Sequence, residues 1–312
     1  MDYTYDPELD PSRIEYPRLD LTDPIAARNH FFELYEAMPA PETPAGLRVR
    51  DTVVPGPDVP VRIYTPVRGD RPLPALLYIH GGNYVLGNLE MSHVMLMDLA
   101  LATQAVIVSV DYRLAPENPF PAGLEDCYAA LAWLTENAAD LDVDPGRIAV
   151  GGDSSGGGLS AGLALLARDR GGPAIRFQYL GIPTLDDRLD TDSIARLVGV
   201  PMVDREILEL TWQHYLGGTS TVDGKDGMRY AAPARAEDLS ALPPAFVAVN
   251  ELDPLRDEAI DYAQRLMKAG VSVELCVYAG TVHGTFLFPT TKAAQRMFAD
   301  LVGALRRGLG LN

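Results

Sequence analysis

The chain has 312 residues, 47% of them hydrophobic and 22% charged, the balance of a protein with a sizeable core, which excludes disorder along its whole length. A formal charge of −17 repels phosphate backbones and argues against nucleic acid and against anionic membrane surfaces as partners. Cys127 and Cys276 stand far apart in no metal-ligand spacing, so neither a disulfide framework nor a zinc site is indicated, and two buried free thiols are expected.

The N-terminus, MDYTYDPELDPSR, is acidic and carries no basic stretch followed by an apolar one. No run approaches the roughly 18 apolar residues of a membrane span, so a cytoplasmic protein without stable membrane insertion is expected. Asp23-Pro24 opens a helical pattern running to about Met38, where Ile25, Phe32, Leu34, Tyr35 and Met38 make only a partial apolar face. Such a helix reads as a cover packed on something else. From Val61 onward β-branched apolar runs follow one another: VRIYTP, ALLYIHGG, AVIVSVDYR, RIAVGGDS, IRFQYLGIP, AFVAVNELDP and VELCVYAG. Several are almost continuously apolar, as strands buried on both faces are. Helical patterns lie between them at about 90–102, 123–138, 155–169 and 257–269, and another closes the chain at about 291–307. Alternating strands and helices predict an α/β fold, a mostly parallel central sheet with helices on both faces. The alternation breaks between Asp186 and about Pro233, where a helical stretch from Asp204 to Tyr215 precedes a loop rich in Gly, Thr, Ser and Asp. The expected division is therefore 1–50 as the N-terminal part of a helical cap, 51–185 as the first part of a catalytic core, 186–233 as a cap insertion, and 234–312 as the rest of the core. The cap is expected over the C-terminal ends of the strands, where open α/β sheets place their ligands.

Gly152-Asp153-Ser154-Ser155-Gly156 matches G-x-S-x-G between a predicted strand and a predicted helix. A nucleophile at such a turn sits on strained backbone, and small flanking residues relieve crowding from strand and helix. The helix start at Ser155 offers free N–H groups to a developing oxyanion. The bland alternative is a Gly-rich turn without chemistry; a dinucleotide fingerprint on Gly156, Gly158 and Ala161 begins several residues too late after the strand. His80-Gly81-Gly82-Asn83-Tyr84 follows the strand ALLYI, and small residues there let backbone donors approach a tetrahedral intermediate, each worth about 3 kcal/mol. His80 itself reads as structural. A serine needs a base, and the chain has five histidines. His30 and His214 fall in the predicted cover and His93 at a helix start. His283, in GTVHGTF between Gly280 and Gly284 just past a strand, is the one suited to a sheet-edge loop. The orienting acid should lie between Ser and His in sequence at a strand end. Asp253 does so; Glu251 is its rival, while Asp257 and Glu258 suit the start of the next helix.

Read in order, HGGN, SVDYRLAPENPFPAGLED, GGDSSGG, NELDPLRDE and GTVHG resemble the bacterial hormone-sensitive-lipase-like esterases of the α/β-hydrolase fold, in their GDSAGG-type branch, from about Val61 to the C-terminus. The resemblance implies a catalytic triad of Ser154, Asp253 and His283 and an oxyanion hole of Gly81, Gly82, Asn83 and Ser155. It implies a carboxylesterase acting on a small-molecule ester of short to medium acyl chain through an acyl-enzyme, with no metal or organic cofactor; relatives that dimerise leave a homodimer open. Asn83 departs from the family's third glycine, which puts acceptance of bulky tertiary-alcohol esters in question. Tyr84, Phe32, Met202, Trp212 and Tyr215 are the expected pocket walls, although such residues are more often ordinary packing. A lactone or amide hydrolase on the same triad is the nearest rival. A receptor of the same fold is the rival from another class, against which the presence of His283 speaks.

Overall fold

Each of the seven apolar runs is a strand. The computed structural model describes residues 3–17, 19–37, 40–69, 72–217 and 227–311. Among them eight strands form one sheet: β1 (Leu47–Val54), β2 (Val59–Pro66), β3 (Leu73–Ile79), β4 (Val106–Val110), β5 (Val143–Asp153), β6 (Phe177–Gly181), β7 (Ala245–Leu252) and β8 (Val273–Val282). Their order is β1-β2-β4-β3-β5-β6-β7-β8. β2 runs antiparallel to both its neighbours, and every other pair is parallel. β1 was not among the expected strands. It is an edge strand in which Arg48, Arg50 and Asp51 interrupt the apolar signal, and it crosses the 50/51 boundary expected from the sequence.

The helices are α1 (Pro24–Glu36), α2 (His93–Thr103), α3 (Ala122–Glu136), α4 (Ser155–Asp169), α5 (Asp192–Arg196), α6 (Arg205–Tyr215), α7 (Met228–Ala231), α8 (Arg256–Lys268) and α9 (Lys292–Gly308). The pleat divides each strand between two cores. On β3, Ala75, Leu77 and Ile79 face the cluster that contains Leu124 and Leu131 of α3 and Leu159 and Leu163 of α4. Leu76 and Tyr78 face the opposite cluster, with Leu96 and Leu99 of α2 and Leu301 and Leu305 of α9. Burying each of these leucines contributes about 1.5–3 kcal/mol, so β3 is held from both sides at the end where the HGGN loop begins. This is the α/β-hydrolase fold, and among the described residues no helix is long and apolar enough to cross a membrane.

α1 and α6 both start as their sequences require. Asp23 caps α1 by accepting from the Ala26 amide at 3.0 Å, with Pro24 at the first helical position. Asp204 caps α6 by accepting from the Ile207 amide, also at 3.0 Å. Leu208, Thr211, Trp212 and Tyr215 recur at helical spacing and form the buried face of α6. Met38, and most of the Gly-rich loop after Tyr215, lie outside the described residues.

Candidate active site

Ser154 sits between β5 and α4 at φ 57° and ψ −121°, a left-handed conformation that a serine holds only under constraint. Its amide donates to the Gly181 carbonyl at 2.8 Å, and its carbonyl accepts from the amides of Gly158 and Thr184 at 3.0 and 3.1 Å. A serine at this point of a helix ordinarily caps it, yet no side-chain cap bond forms here. The hydroxyl faces away from the helix amides, toward His283.

The flanking glycines have a steric reason. A Cβ built on Gly152 or on Gly156 would fall on the carbonyl oxygen of Ile79, the last residue of β3. Both obstacles are backbone and cannot swing aside. A Cβ on Gly81 would stand 2.9 Å from the Asp153 carbonyl oxygen and 3.4 Å from Ser154 Cβ, so the HGGN loop lies against the serine turn.

His283 follows β8 directly, and Asp253 follows β7. Ser154 Oγ lies 2.9 Å from His283 Nε2, and His283 Nδ1 lies 2.7 Å from Asp253 Oδ2. Asp253 Oδ1 accepts from the Leu255 amide at 2.9 Å, which leaves Oδ2 for the imidazole. All three side chains are buried. The histidine loop is tied down by neighbours that the sequence did not single out. Asn250 Nδ2 donates to the Val282 carbonyl at 2.6 Å, and Thr285 Oγ1 donates to that carbonyl at 2.8 Å while accepting the Val282 amide at 3.1 Å. The rival acid Glu251 is engaged elsewhere, accepting from the Gly280 amide at 2.7 Å. Glu258 begins α8 as expected and is also buried, accepting from the amides of Leu185 and Asp186, with burial raising its pKa.

Asp153, between Gly152 and Ser154, is a second site residue that sequence reasoning passed over. It accepts from the hydroxyls of Tyr78 at 2.7 Å and Tyr179 at 2.5 Å. Burial raises its pKa, and those two hydrogen bonds, with the charge of His283, oppose the rise. The only signal in sequence was its place inside the motif.

In the HGGN loop Gly82 has φ 118°, and Asn83 and Tyr84 are left-handed at 55° and 60°. The Gly82 carbonyl accepts from Val85 and Leu86, and the amides of Gly82 and Asn83 have no backbone acceptor among the described residues. Ser155 is the first residue of α4, where the amide has no intrahelical partner. Free donors thus flank Ser154 on the loop side and on the helix side. His80 is buried, 2.7 Å from the Gly81 carbonyl through Nδ1, and stacked on Tyr112 at 4.4 Å; burial pushes its pKa down to about 4. His93 Nδ1 pairs with the Tyr64 hydroxyl at 2.8 Å, His214 Nε2 with the Leu21 carbonyl at 2.9 Å, and His30 is exposed.

A cavity of about 1260 Å³ opens between residues 11–22 and residues 199–210, walled by Tyr16, Leu19, Leu21, Val200, Met202 and Ile207 among others. Its lining does not include the three residues Ser154, Asp253 and His283. Met202 links the two, because its Cε is 3.3 Å from where a Cβ on Gly284 would be, next to His283. The other expected walls lie elsewhere. Tyr84, Trp212 and Tyr215 are packed together in the core, the two tyrosines stacked at 3.7 Å, and Phe32 is half-buried on α1 beside Phe31. Among the described residues no group of three or more His, Cys, Asp or Glu side chains is placed to hold a metal ion. Both cysteines are free, but Cys276 is only half-buried, since β8 is an edge strand; Cys127 is buried as expected.

The family described as the alpha/beta hydrolase fold matches residues 76–287. The chain is 45% identical over 253 residues to carboxylesterase NlhH of Mycobacterium tuberculosis, a match covering 81% of this chain and 79% of that one. It is 37% identical over 231 residues to an ethyl acetate hydrolase of Pseudomonas putida, covering 73% and 71%. Among solved structures a bacterial heroin esterase superimposes with a TM-score of 0.93 at 44% identity, covering 98% of both chains.

Proposed function

The chain belongs to the hormone-sensitive-lipase-like carboxylesterases of the α/β-hydrolase fold, and on that premise we propose that Ser154, His283 and Asp253 carry its chemistry on esters of short to medium acyl chain. The observation that carries the reading is the continuous relay from Ser154 Oγ through the imidazole to Asp253, with distances of 2.9 and 2.7 Å. Ser154 Oγ attacks the acyl carbon while His283 Nε2 takes its proton. The electron pair of the carbonyl becomes an oxyanion, received by amides of Gly81, Gly82, Asn83 and Ser155. Asp253 keeps Nδ1 protonated and stabilises the imidazolium. The bond to the alcohol oxygen then breaks, and His283 returns the proton to the leaving group. Water repeats the sequence on the acyl-enzyme, releasing a carboxylic acid and restoring Ser154.

The substrate is proposed to reach Ser154 by way of the cavity, with Met202 at the junction. A preference for short acyl chains is supported by the similarity to a hydrolase named for ethyl acetate. The helical cap is proposed to consist of the residues before β1, which opens at Leu47, and of 186–233, a reading supported by the cavity that lies between parts of these two segments. A reducing, cytoplasmic setting fits the two unpaired cysteines.

The test is a p-nitrophenyl ester series from acetate to laurate, together with labelling by a fluorophosphonate. The expected results are a maximum of kcat/KM at the shorter chains, and labelling and turnover both abolished in Ser154→Ala. Intact protein that turns over esters without labelling at Ser154 would overturn the assignment. Faster cleavage of an anilide than of the matching ester would move it to an amide hydrolase.

A further inference from the structure

The two residues after Gly82 hold an uncommon backbone. Asn83 and Tyr84 are both left-handed, at φ 55° and 60°. A side-chain-bearing residue in that region costs roughly 1–2 kcal/mol, so two in succession persist only where neighbours hold them. The Val85 and Leu86 amides close the turn onto the Gly82 carbonyl, and the Tyr84 hydroxyl donates to the Thr184 carbonyl at 3.3 Å; the remaining side-chain neighbours are on α6, in the segment proposed as the cap insertion. Thr211 Oγ1 donates to the Asn83 side-chain oxygen at 3.2 Å, sharing its proton with the Ile207 carbonyl at 2.7 Å. One residue on, the ring of Tyr84 stacks on Tyr215 with centroids 3.7 Å apart and planes 8° apart. Thr211 and Tyr215 are four residues apart on the buried face of α6. The main chain beyond is anchored separately, by the Ala115 amide on the Tyr84 carbonyl and by Arg28 Nε on the Val85 carbonyl.

From this arrangement we infer that α6 is a positioning element for the oxyanion hole: Thr211 and Tyr215 hold Asn83 and Tyr84 in the left-handed conformation that sets the direction of the Asn83 amide. The inference rests on the reading of Ser154 as nucleophile and of this loop as oxyanion hole. It also explains how Asn, and not glycine, is accommodated at a left-handed position of this loop. Glycine adopts a left-handed backbone unaided, whereas asparagine here is held by a partner. The need for the Thr211 contact is created by Asn83 and disappears with it.

The test compares wild type, Thr211→Val, Asn83→Gly and the double variant. The readouts are kcat and KM on p-nitrophenyl acetate, affinity for a trifluoromethyl ketone, and melting temperature. The ketone mimics the transition state: Ser154 Oγ bonds to its carbonyl carbon, the hydroxyl proton passes to His283, and the C=O pair becomes an oxyanion in the hole. Thr211→Val is expected to lower kcat and ketone affinity in parallel, about tenfold, with KM within about twofold, because donors to the oxyanion act as charge develops. Thr211→Ser recovers most of that loss. In the Asn83→Gly background, Thr211→Val produces no further loss. Unchanged kcat and ketone affinity in Thr211→Val, with or without a lower melting temperature, overturns the inference, as do equal losses in both backgrounds. Labelling separates the two levels: active wild type unlabelled at Ser154 defeats the nucleophile, whereas labelled wild type with an indifferent Thr211→Val defeats only the role of α6.

Discussion

Gly152 and Gly156 are small because a backbone carbonyl occupies the space that a Cβ would need. Alanine at either position is expected to cost more than about 3 kcal/mol, the range of strain and overpacking with no route to relax; urea unfolding of each variant measures it. His80 carries a pH dependence of defined sign. Its pKa is pushed down to about 4 by burial, against about 6.5 in an unfolded chain. The unfolded chain therefore binds the proton first, and the contribution of neutral His80 is complete above about pH 6.5 and lost as pH falls toward 4. The stability difference between wild type and His80→Gln should narrow across that window by up to about 3 kcal/mol, measured by urea unfolding at pH 7 and pH 4.5. At this scale the sequence was legible where a local motif states its own need, as the glycines around Ser154 do. Asp153 was not legible, because its partners Tyr78 and Tyr179 come from two other strands. Tyr84 was expected at a pocket wall and lies in the core, since its backbone turns the ring toward Tyr215.

Helix α1 packs Ala27 against Val85 and Leu86 and is tied down further by Arg28. Arg28 donates to the carbonyls of Val85 at 2.7 Å and Ala115 at 2.6 Å, and pairs with both oxygens of Glu117 at 2.7 and 2.9 Å. Arg307 on α9 also pairs with a carboxylate, Glu274 on β8, but both partners are largely exposed. Arg28→Ala is expected to destabilise by about 2–3 kcal/mol, since it strips charged donors from two carbonyls, and to lower kcat through the loop at Val85. Arg307→Ala is expected to cost under about 1 kcal/mol, as exposed ion pairs do. Chemical denaturation of both variants checks the contrast. Elements with sustained periodicity were readable to within a few residues, α4 at 155–169 among them. β1 was missed because Arg48, Arg50 and Asp51 give an edge strand the look of a loop. The Arg28 anchor was missed because its partners are 57 to 89 residues away along the chain.

For the whole molecule, a net charge of −17 implies self-repulsion in the folded state. Raising ionic strength from about 0.01 to about 0.15 M shortens the screening length from about 30 to about 8 Å, so the melting temperature should rise over that interval. A calorimetric salt series checks it, and a flat or falling trend would show that the ion pairs outweigh the repulsion. The sheet was legible apart from β1, because strands buried on both faces cannot hide their composition, and Ser154, Asp253 and His283 follow the ends of β5, β7 and β8. That the N-terminal segment and the insertion go together was expected, but the cavity between residues 11–22 and 199–210 was not legible, because neither segment alone encloses it.

The carbonyl oxygen of Ile79 touches the space beside Gly152 and Gly156, and the chain runs from it straight into His80 and the loop beyond. One atom is thus the common origin from which the serine turn and its facing amides are both measured. Whatever displaces it moves the two halves of the apparatus at once, so crowding there ends activity abruptly instead of grading it. On the proposed route of substrate through the cavity, room to retune its choice lies in walls such as Met202 and Val200, which can change shape while that origin stays fixed.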